Sequence, residues 1–353
     1  MRTWDLLAAI PVRIEGYSFQ RLAQPVSSGF ERVTTVVRLF GDGEEGVGED
    51  VSYTAEDHDR LLGWGTRLPL AGKHTLASLS EKLDEVDLFP VEPALSVSRN
   101  YRRWAFESAA LDLALRQQST TLAAALRRKP APVTFVVSRR LAASPAAAEL
   151  AALLAAEPGL RFKLDPTAGW SDEVCRDVAA LGVVDCVDLK GAYQGTAVDN
   201  PADPELYARV VEAFTEAWIE DPAVTDATRP VLEAHAARIT WDAVIHSAAD
   251  IDALPWSPRA LNSKPSRFGP IHALLDFYDR CAADGIALYG GGQFELGPGR
   301  GQIQYLTSLF HPHTANDVAP GGWNAVVPAA GLPASPLAPE PQGTGFRWGR
   351  DPR

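Results

Sequence analysis

A chain of 353 residues is too long for one small domain and suits a barrel carrying a cap. Its net charge of −12, with no run of Lys and Arg, excludes a nucleic-acid surface. Apolar residues make up 46%, enough for a large core, yet no apolar run approaches the roughly 18 residues that would suggest a membrane span.

The first eleven residues hold Arg2 and Asp5 within a short apolar run and make a poor signal peptide. Cys175, Cys186 and Cys281 lack metal-ligand spacing and read as reduced, buried hydrophobes of a cytoplasmic protein. From 12 to 51 apolar residues alternate. Residues 32–39 are rich in β-branched side chains, and Gly41-Asp42-Gly43 forms a tight turn into a strand at 45–49, an antiparallel meander. Helical patterns follow at 55–62, 76–83 and 101–116. Residues 1–130 therefore read as an α+β layer of their own.

After Lys129-Pro130-Ala131-Pro132 the rhythm changes. Residues 133–137 form an almost unbroken apolar run, as expected of a strand covered on both faces. A helix at 145–157 starts with Ser144 as its cap and Pro145 in its first turn. Strands at 161–165, 186–190, 217–221, 238–242, 260–264 and 286–290 alternate with helices at 172–181, 204–214, 228–236, 249–254, 270–284 and 301–310. An eighth strand is expected near 315–318. This density of alternation argues for a (β/α) barrel over 131–320, and the missing Gly-x-Gly-x-x-Gly argues against a dinucleotide-binding sheet. Residues 321–353 are rich in Pro and Gly and read as a strap folded back onto the body.

Five of these strands end in one charged residue each: Lys163, Asp188, Glu220, Asp242 and Lys264. The steps are 188−163 = 25, 220−188 = 32, 242−220 = 22 and 264−242 = 22, close to the roughly 30 residues of one strand–helix–strand unit. Barrel sites form at the C-terminal ends of the strands, so the five groups should share one mouth. Three carboxylates with no His or Cys suit a hard ion, Mg²⁺ with Mn²⁺ as a substitute, ligated by Asp188, Glu220 and Asp242. Lys163 and Lys264 would flank a substrate carboxylate on that ion and exchange its α-proton. The ion would hold the resulting enediolate and lower an amine pKa.

Several motifs resemble those of the enolase superfamily, in the branch of muconate-lactonizing enzymes and o-succinylbenzoate synthases. They are Gly41-Asp42-Gly43 through Glu49, the helix around Glu107–Ala114, Arg161-Phe162-Lys163, Glu220-Asp221-Pro222, Lys264-Pro265-Ser266-Arg267-Phe268-Gly269 and Gly291-Gly292-Gln293-Phe294-Glu295. The resemblance implies a modified (β/α)7β TIM-like barrel with an N-terminal α+β capping domain. It also implies the same ligands and acid/base pair, and dehydration, cycloisomerisation or racemisation of a small-molecule carboxylate. Substrate choice would lie in the cap, around 23–32 and 51–58, and a homo-oligomer is compatible with it. Lys190 stands where the pattern has Asn, and Ala243 where it has Glu. Both keep open a second reading, a catalytically impaired barrel that only binds a ligand or partner. Arg161, Lys190, Asp221 and Glu295 are candidates for supporting or substrate contacts. For Arg161 a packing role in the barrel competes with steering of Lys163, and for Asp165 and Asp221 a structural pairing with nearby lysines competes.

Overall fold

The structure, a computed structural model, describes residues 2–26, 30–141, 146–193, 199–325 and 327–349. The expected cap at Ser144 and Pro145 lies outside the described residues, as do the centres of the loops at 23–32 and 193–201.

The N-terminal layer begins with β1 (Pro11–Ile14), β2 (Gly16–Pro25), β3 (Glu31–Gly41) and β4 (Glu44–Asp50). Strands β2, β3 and β4 form the antiparallel meander. Asp42 and Gly43, at φ +51° and +77°, make the β3–β4 turn, and two successive positive φ angles match the twist of a hairpin. Then come α1 (Ala55–Trp64), β5 (Gly72–Thr75), α2 (Leu76–Asp84), α3 (Ser98–Gln117) and α4 (Leu122–Ala125). Strand β5 pairs antiparallel with β1. Helix α3 is buried on nearly every face, because it lies between β4 and the barrel. Gly46 and Gly48 permit this: a Cβ at either would be driven into the α3 backbone, at Ala109 or Ala105. Gly48→Ala must separate the two elements and should lower stability by about 1–3 kcal/mol. An unchanged urea midpoint would show that β4 and α3 are not in this contact.

The barrel follows as β6 (Val137–Arg139), α5 (Ala146–Ala156), β7 (Phe162–Leu164), α6 (Asp172–Ala179), β8 (Val184–Asp188), α7 (Pro204–Ala213), β9 (Trp218–Glu220), α8 (Arg229–Glu233), β10 (Ile239–Thr240), β11 (Ala260–Ser263), α9 (Pro265–Phe268), α10 (Ile271–Asp284), β12 (Ala287–Gly290) and α11 (Pro298–Phe310). Local chemistry sets the helix starts: Asp203 accepts from the amides of Glu205 and Leu206, with Pro204 in the first turn. Strands β6 to β10 form one parallel sheet in chain order, and β11 pairs parallel with β12. The Asn262 amide donates to Trp241 O at 3.0 Å, joining the two sheets. Asn316 and Asp317 take the eighth place: the Asp317 amide donates to Gly290 O at 2.8 Å and the Val136 amide to Asn316 O at 2.8 Å. The ring is thereby closed. The first barrel strand differs from expectation. Val133 pairs antiparallel with Leu337 of the tail, and regular pairing begins only at Val137. An apolar run marks burial but does not say which neighbour supplies the hydrogen bonds. The segment expected as a helix at 249–254 is a 3₁₀ turn, Ala248–Ala253.

The tail crosses back to the first layer. Phe346 is fully buried, its amide donates to Asp112 Oδ1 at 2.8 Å, and Arg347 Nε donates to Asp112 Oδ2 at 2.8 Å. From the cap, Glu49 at the end of β4 accepts from the amides of Leu296, Gly297 and Gly299 at 2.7, 3.0 and 2.9 Å, over the start of α11. Asn100 Nδ2 donates to Arg267 O at 2.7 Å, and Glu107 Oε2 accepts from the Ile271 amide at 2.8 Å. These bonds fix the cap over the ends of β11 and β12. Among the described residues, no helix is long and apolar enough to cross a membrane.

Candidate active site

Lys163 is the middle residue of β7 and is 1% exposed. The β7–β8 register slips between Phe162 and Lys163, so that Asp185 is skipped. The bulge puts the extra residue, Asp185, on β8, and Arg161 and Lys163 meet different carboxylates. The Lys163 amine meets Glu220 Oε1, and lies 3.1 Å from Asp188 Oδ2 and 3.9 Å from Asp317 Oδ2. The Arg161 guanidinium lies part-exposed on Asp185 instead, with Nε 2.7 and 2.8 Å from the two carboxylate oxygens. Arg161 therefore does not join the cluster.

Asp188 and Glu220 close β8 and β9 and are fully buried. Glu220 Oε2 accepts from the Tyr289 hydroxyl at 2.6 Å and from Cys186 Sγ at 3.4 Å. Asp242 follows β10; its Oδ2 accepts from Lys264 Nζ at 2.6 Å, the Tyr193 hydroxyl at 2.9 Å and Arg267 at 3.3 Å, while its buried Oδ1 has no hydrogen-bond partner. Asp221, at φ +48°, accepts from the amides of Asp242 and Ala243, both at 2.8 Å. It thereby holds the turn that carries Asp242. Lys190, at φ +55°, places its amine on Asp188 Oδ2 and 3.6 Å from Asp165 Oδ1. Glu295 stands apart from this cluster, 2.9 Å from Arg300 and accepting from the Gln293 amide. Tyr193, Tyr289 and Asp317 were not singled out from the sequence. Tyr289 precedes the Gly290-Gly291-Gly292 run, so its strand was legible; its hydroxyl target was not.

The electrostatics follow from burial. Burial works against the charge on Lys163, but Asp188, Glu220 and Asp317 outweigh it and hold the amine well above the ordinary lysine range. The lowered amine expected from the sequence needs a cation beside it. Burial, opposed by Lys163 and reinforced by Asp188 and Asp242, pushes Glu220 up to about 8. Burial and Asp242 push Asp221 up to about 7. For Asp188, burial is outweighed by Lys163 and Lys190, and for Asp242 by Arg267 and Lys264, so both stay below the usual carboxylate range.

The donor set fits a hard divalent cation. Asp188, Glu220 and Asp221 are buried and offer carboxylate oxygens within 4.8 Å of one another. Both oxygens of Asp221 already accept backbone amides, so recruiting them would cost the turn that carries Asp242. Asp242 has a free buried oxygen to offer, which makes it the better third donor.

Comparison with known proteins places the chain. Models of the N-terminal and C-terminal domains of DUF8230, a domain of unknown function, match residues 5–125 and 129–325. The chain belongs to the DUF8230 family. This DUF8230 protein is 26% identical to an N-succinylamino acid racemase of Amycolatopsis sp over 318 residues, 84% of each chain. Among solved structures it resembles a dipeptide epimerase from Enterococcus faecalis V583 (TM-score 0.69, 14% identity, 95% of this chain and 99% of that one). It also resembles a muconate cycloisomerase from Pseudomonas fluorescens (TM-score 0.65, 18% identity, 96% and 93%) and a dipeptide epimerase from Methylococcus capsulatus complexed with Mg ion (TM-score 0.62, 21% identity, 86% and 89%). The fold of the DUF8230 chain is that of the enolase superfamily, a cap on a TIM-like barrel.

Proposed function

We propose that this protein is an enolase-superfamily enzyme that removes and returns the proton α to the carboxylate of a small substrate, as a racemase, cycloisomerase or dehydratase. The reading rests on one observation: Lys163 and Lys264 come from the second and sixth of eight places in the ring, on opposite sides, and each amine is bound to a carboxylate from the strands between them. Asp188, Glu220 and Asp242 would hold a divalent ion, Mg²⁺ by its preference for carboxylate oxygen, which supplies positive charge where a substrate carboxylate gains negative charge. The amines do the proton work. The neutral one breaks the Cα–H bond and becomes an ammonium; the other, already charged, returns a proton from the opposite face. Asp221 keeps Asp242 in place, and the Tyr289 hydroxyl orients Glu220. The cap roofs the mouth through Tyr53 and Tyr101, both bonded to Gln293 at 2.8 and 3.2 Å, so substrate shape would be read there. The racemase and epimerases among its relatives support a substrate of the acyl-amino-acid or dipeptide kind. Three buried cysteines without a disulfide support a working place in the reducing cytoplasm.

Lys190 on Asp188 favours the second reading, a barrel that binds a ligand without turnover. Incubation in D₂O with Mg²⁺ and a panel of N-acyl amino acids, dipeptides and succinylbenzoate precursors separates the two. Deuterium at Cα of at least one acid is the expected result, read by mass spectrometry. No exchange from any of them, with the ion demonstrably bound, would leave the binding protein.

A further inference from the structure

We propose that Lys190 is a two-position counter-ion that competes with the divalent ion for Asp188 and withdraws to Asp165 when the ion binds. The inference rests on the metal reading above. The Lys190 amine lies against Asp188 Oδ2, the oxygen that Lys163 also approaches at 3.1 Å. A dication on Asp188 and an ammonium in contact with the same carboxylate repel across a buried, weakly screened site. One of them has to move. Lys163 is held from two further sides, by Glu220 and Asp317. Lys190 has a second seat. Asp165 Oδ1 is buried, accepts no hydrogen bond, and faces the Lys190 amine at 3.6 Å. A shift of roughly 0.7–0.9 Å toward Asp165, away from Asp188, would turn that contact into a charge-assisted hydrogen bond.

The backbone around Lys190 is anchored, so the exchange needs only the side chain. Its amide donates to Asp188 Oδ1 at 3.1 Å, and its carbonyl accepts from the amides of Tyr193 and Asn200 at 3.2 and 3.5 Å. Asp165 is anchored as well, its amide donating to Arg139 O at 3.0 Å. Two carboxylates on anchored backbone, with one long, flexible amine between them, make a device with two settings. Lys190, standing where the pattern has Asn, and the buried carboxylate of Asp165 beside it thus have one explanation.

The test is a double-mutant cycle on the full-length chain, with Mn²⁺ as the probe and its dissociation constant measured by isothermal titration and by the electron paramagnetic resonance of free Mn²⁺. Lys190→Asn suits the left-handed backbone, which Asn tolerates better than most residues, and should bind Mn²⁺ at least about tenfold more tightly. Asp165→Asn removes the second seat and should weaken binding at least about threefold, but only while Lys190 is present. Lys190→Met repeats the first arm should the Asn variant fold poorly by circular dichroism, and Lys190→Arg, which keeps the charge, should bind like wild type. Equal or weaker binding by the two neutral variants overturns the proposal, as does an Asp165→Asn effect that survives in the Lys190→Asn background. If neither wild type nor Lys190→Asn binds Mn²⁺, the metal site itself is wrong and the proposal falls with it. Asp188→Asn, which should abolish binding in every background, shows that the ion measured is the one at this site.

Discussion

Lys163→Ala and Lys264→Ala are each expected to lower interconversion of substrate enantiomers by about 10²–10⁴-fold, the usual worth of a positioned acid or base. The two variants should differ in what they keep. With one amine removed, the other still faces one side of Cα, so each variant should exchange the α-proton of one enantiomer with D₂O and lose exchange of the other. The hand retained should switch between the two variants. Uniform loss of packing cannot produce this, since it would depress both hands together. The effect on the protein will also differ. Without Lys163, Glu220 keeps, among the described residues, only the neutral Tyr289 and Cys186 as hydrogen-bond partners, whereas Asp242 retains the Arg267 cation and the Tyr193 hydroxyl when Lys264 is lost. Lys163→Ala should therefore melt at a lower temperature than Lys264→Ala. Undiminished exchange of both enantiomers by either variant would show that the lysine in question does not handle the proton.

Much of this arrangement could be read from the chain because the information is local. A charged residue after an apolar run, followed by Pro or Gly, marks the end of a barrel strand, and Glu220-Asp221-Pro222 and Lys264-Pro265 say so within three residues. The same locality gave the β3–β4 turn at Asp42-Gly43. What the chain did not disclose depends on pairing. Arg161 and Lys163 are two apart, yet one lies on Asp185 and the other on Glu220; which carboxylate β8 and β9 offer to each is a matter of register, a property of two strands. Glu295, named with its Gly-rich segment, ends on Arg300 because Glu49 of the cap organises that loop. The hydroxyls of Tyr193 and Tyr289 reach carboxylates 49 and 69 residues away, and nothing in their neighbourhoods selects those targets. Asp221 illustrates the remaining ambiguity. As a neighbour of Glu220 it could pair with a lysine or support the site; it accepts two backbone amides from the turn that carries Asp242, 21 and 22 residues on, which its own neighbourhood does not name.

Arg102→Met should destabilise the protein by about 3–5 kcal/mol, because it leaves a carboxylate buried without its counter-ion. Arg102 and Asp50 are both fully buried, with Nε 2.7 Å from Asp50 Oδ2. The guanidinium also donates to Leu88 O and Asp57 O and lies 3.6 Å over the Phe89 ring. Asp50 Oδ1 accepts from the Ser52 amide and hydroxyl at 3.0 and 2.7 Å. Burial alone would raise the Asp50 pKa; Arg102, with His58 and Ser52, overrides it and lowers it from 3.8 to about 2. A carboxylate whose folded pKa is depressed adds stability above its unfolded value, here about 2 kcal/mol, and loses it as pH falls from 3.8 through 2. In the Met variant burial acts with the Arg gone, the folded pKa should rise above 3.8, and the sign reverses: the cost grows as pH rises from 3.8 toward that raised value. Urea denaturation at pH 4 and pH 7 reads the difference, and the variant should lose more stability at pH 7. A variant equally destabilised at both would mean that packing on Phe89, and not the charge, is what Arg102 supplies. The consequence reaches the barrel. Asp50 ends the strand that places Glu49 over the start of α11, so a loosened Asp50 should also loosen the cap over the mouth and impair substrate binding before it affects proton transfer.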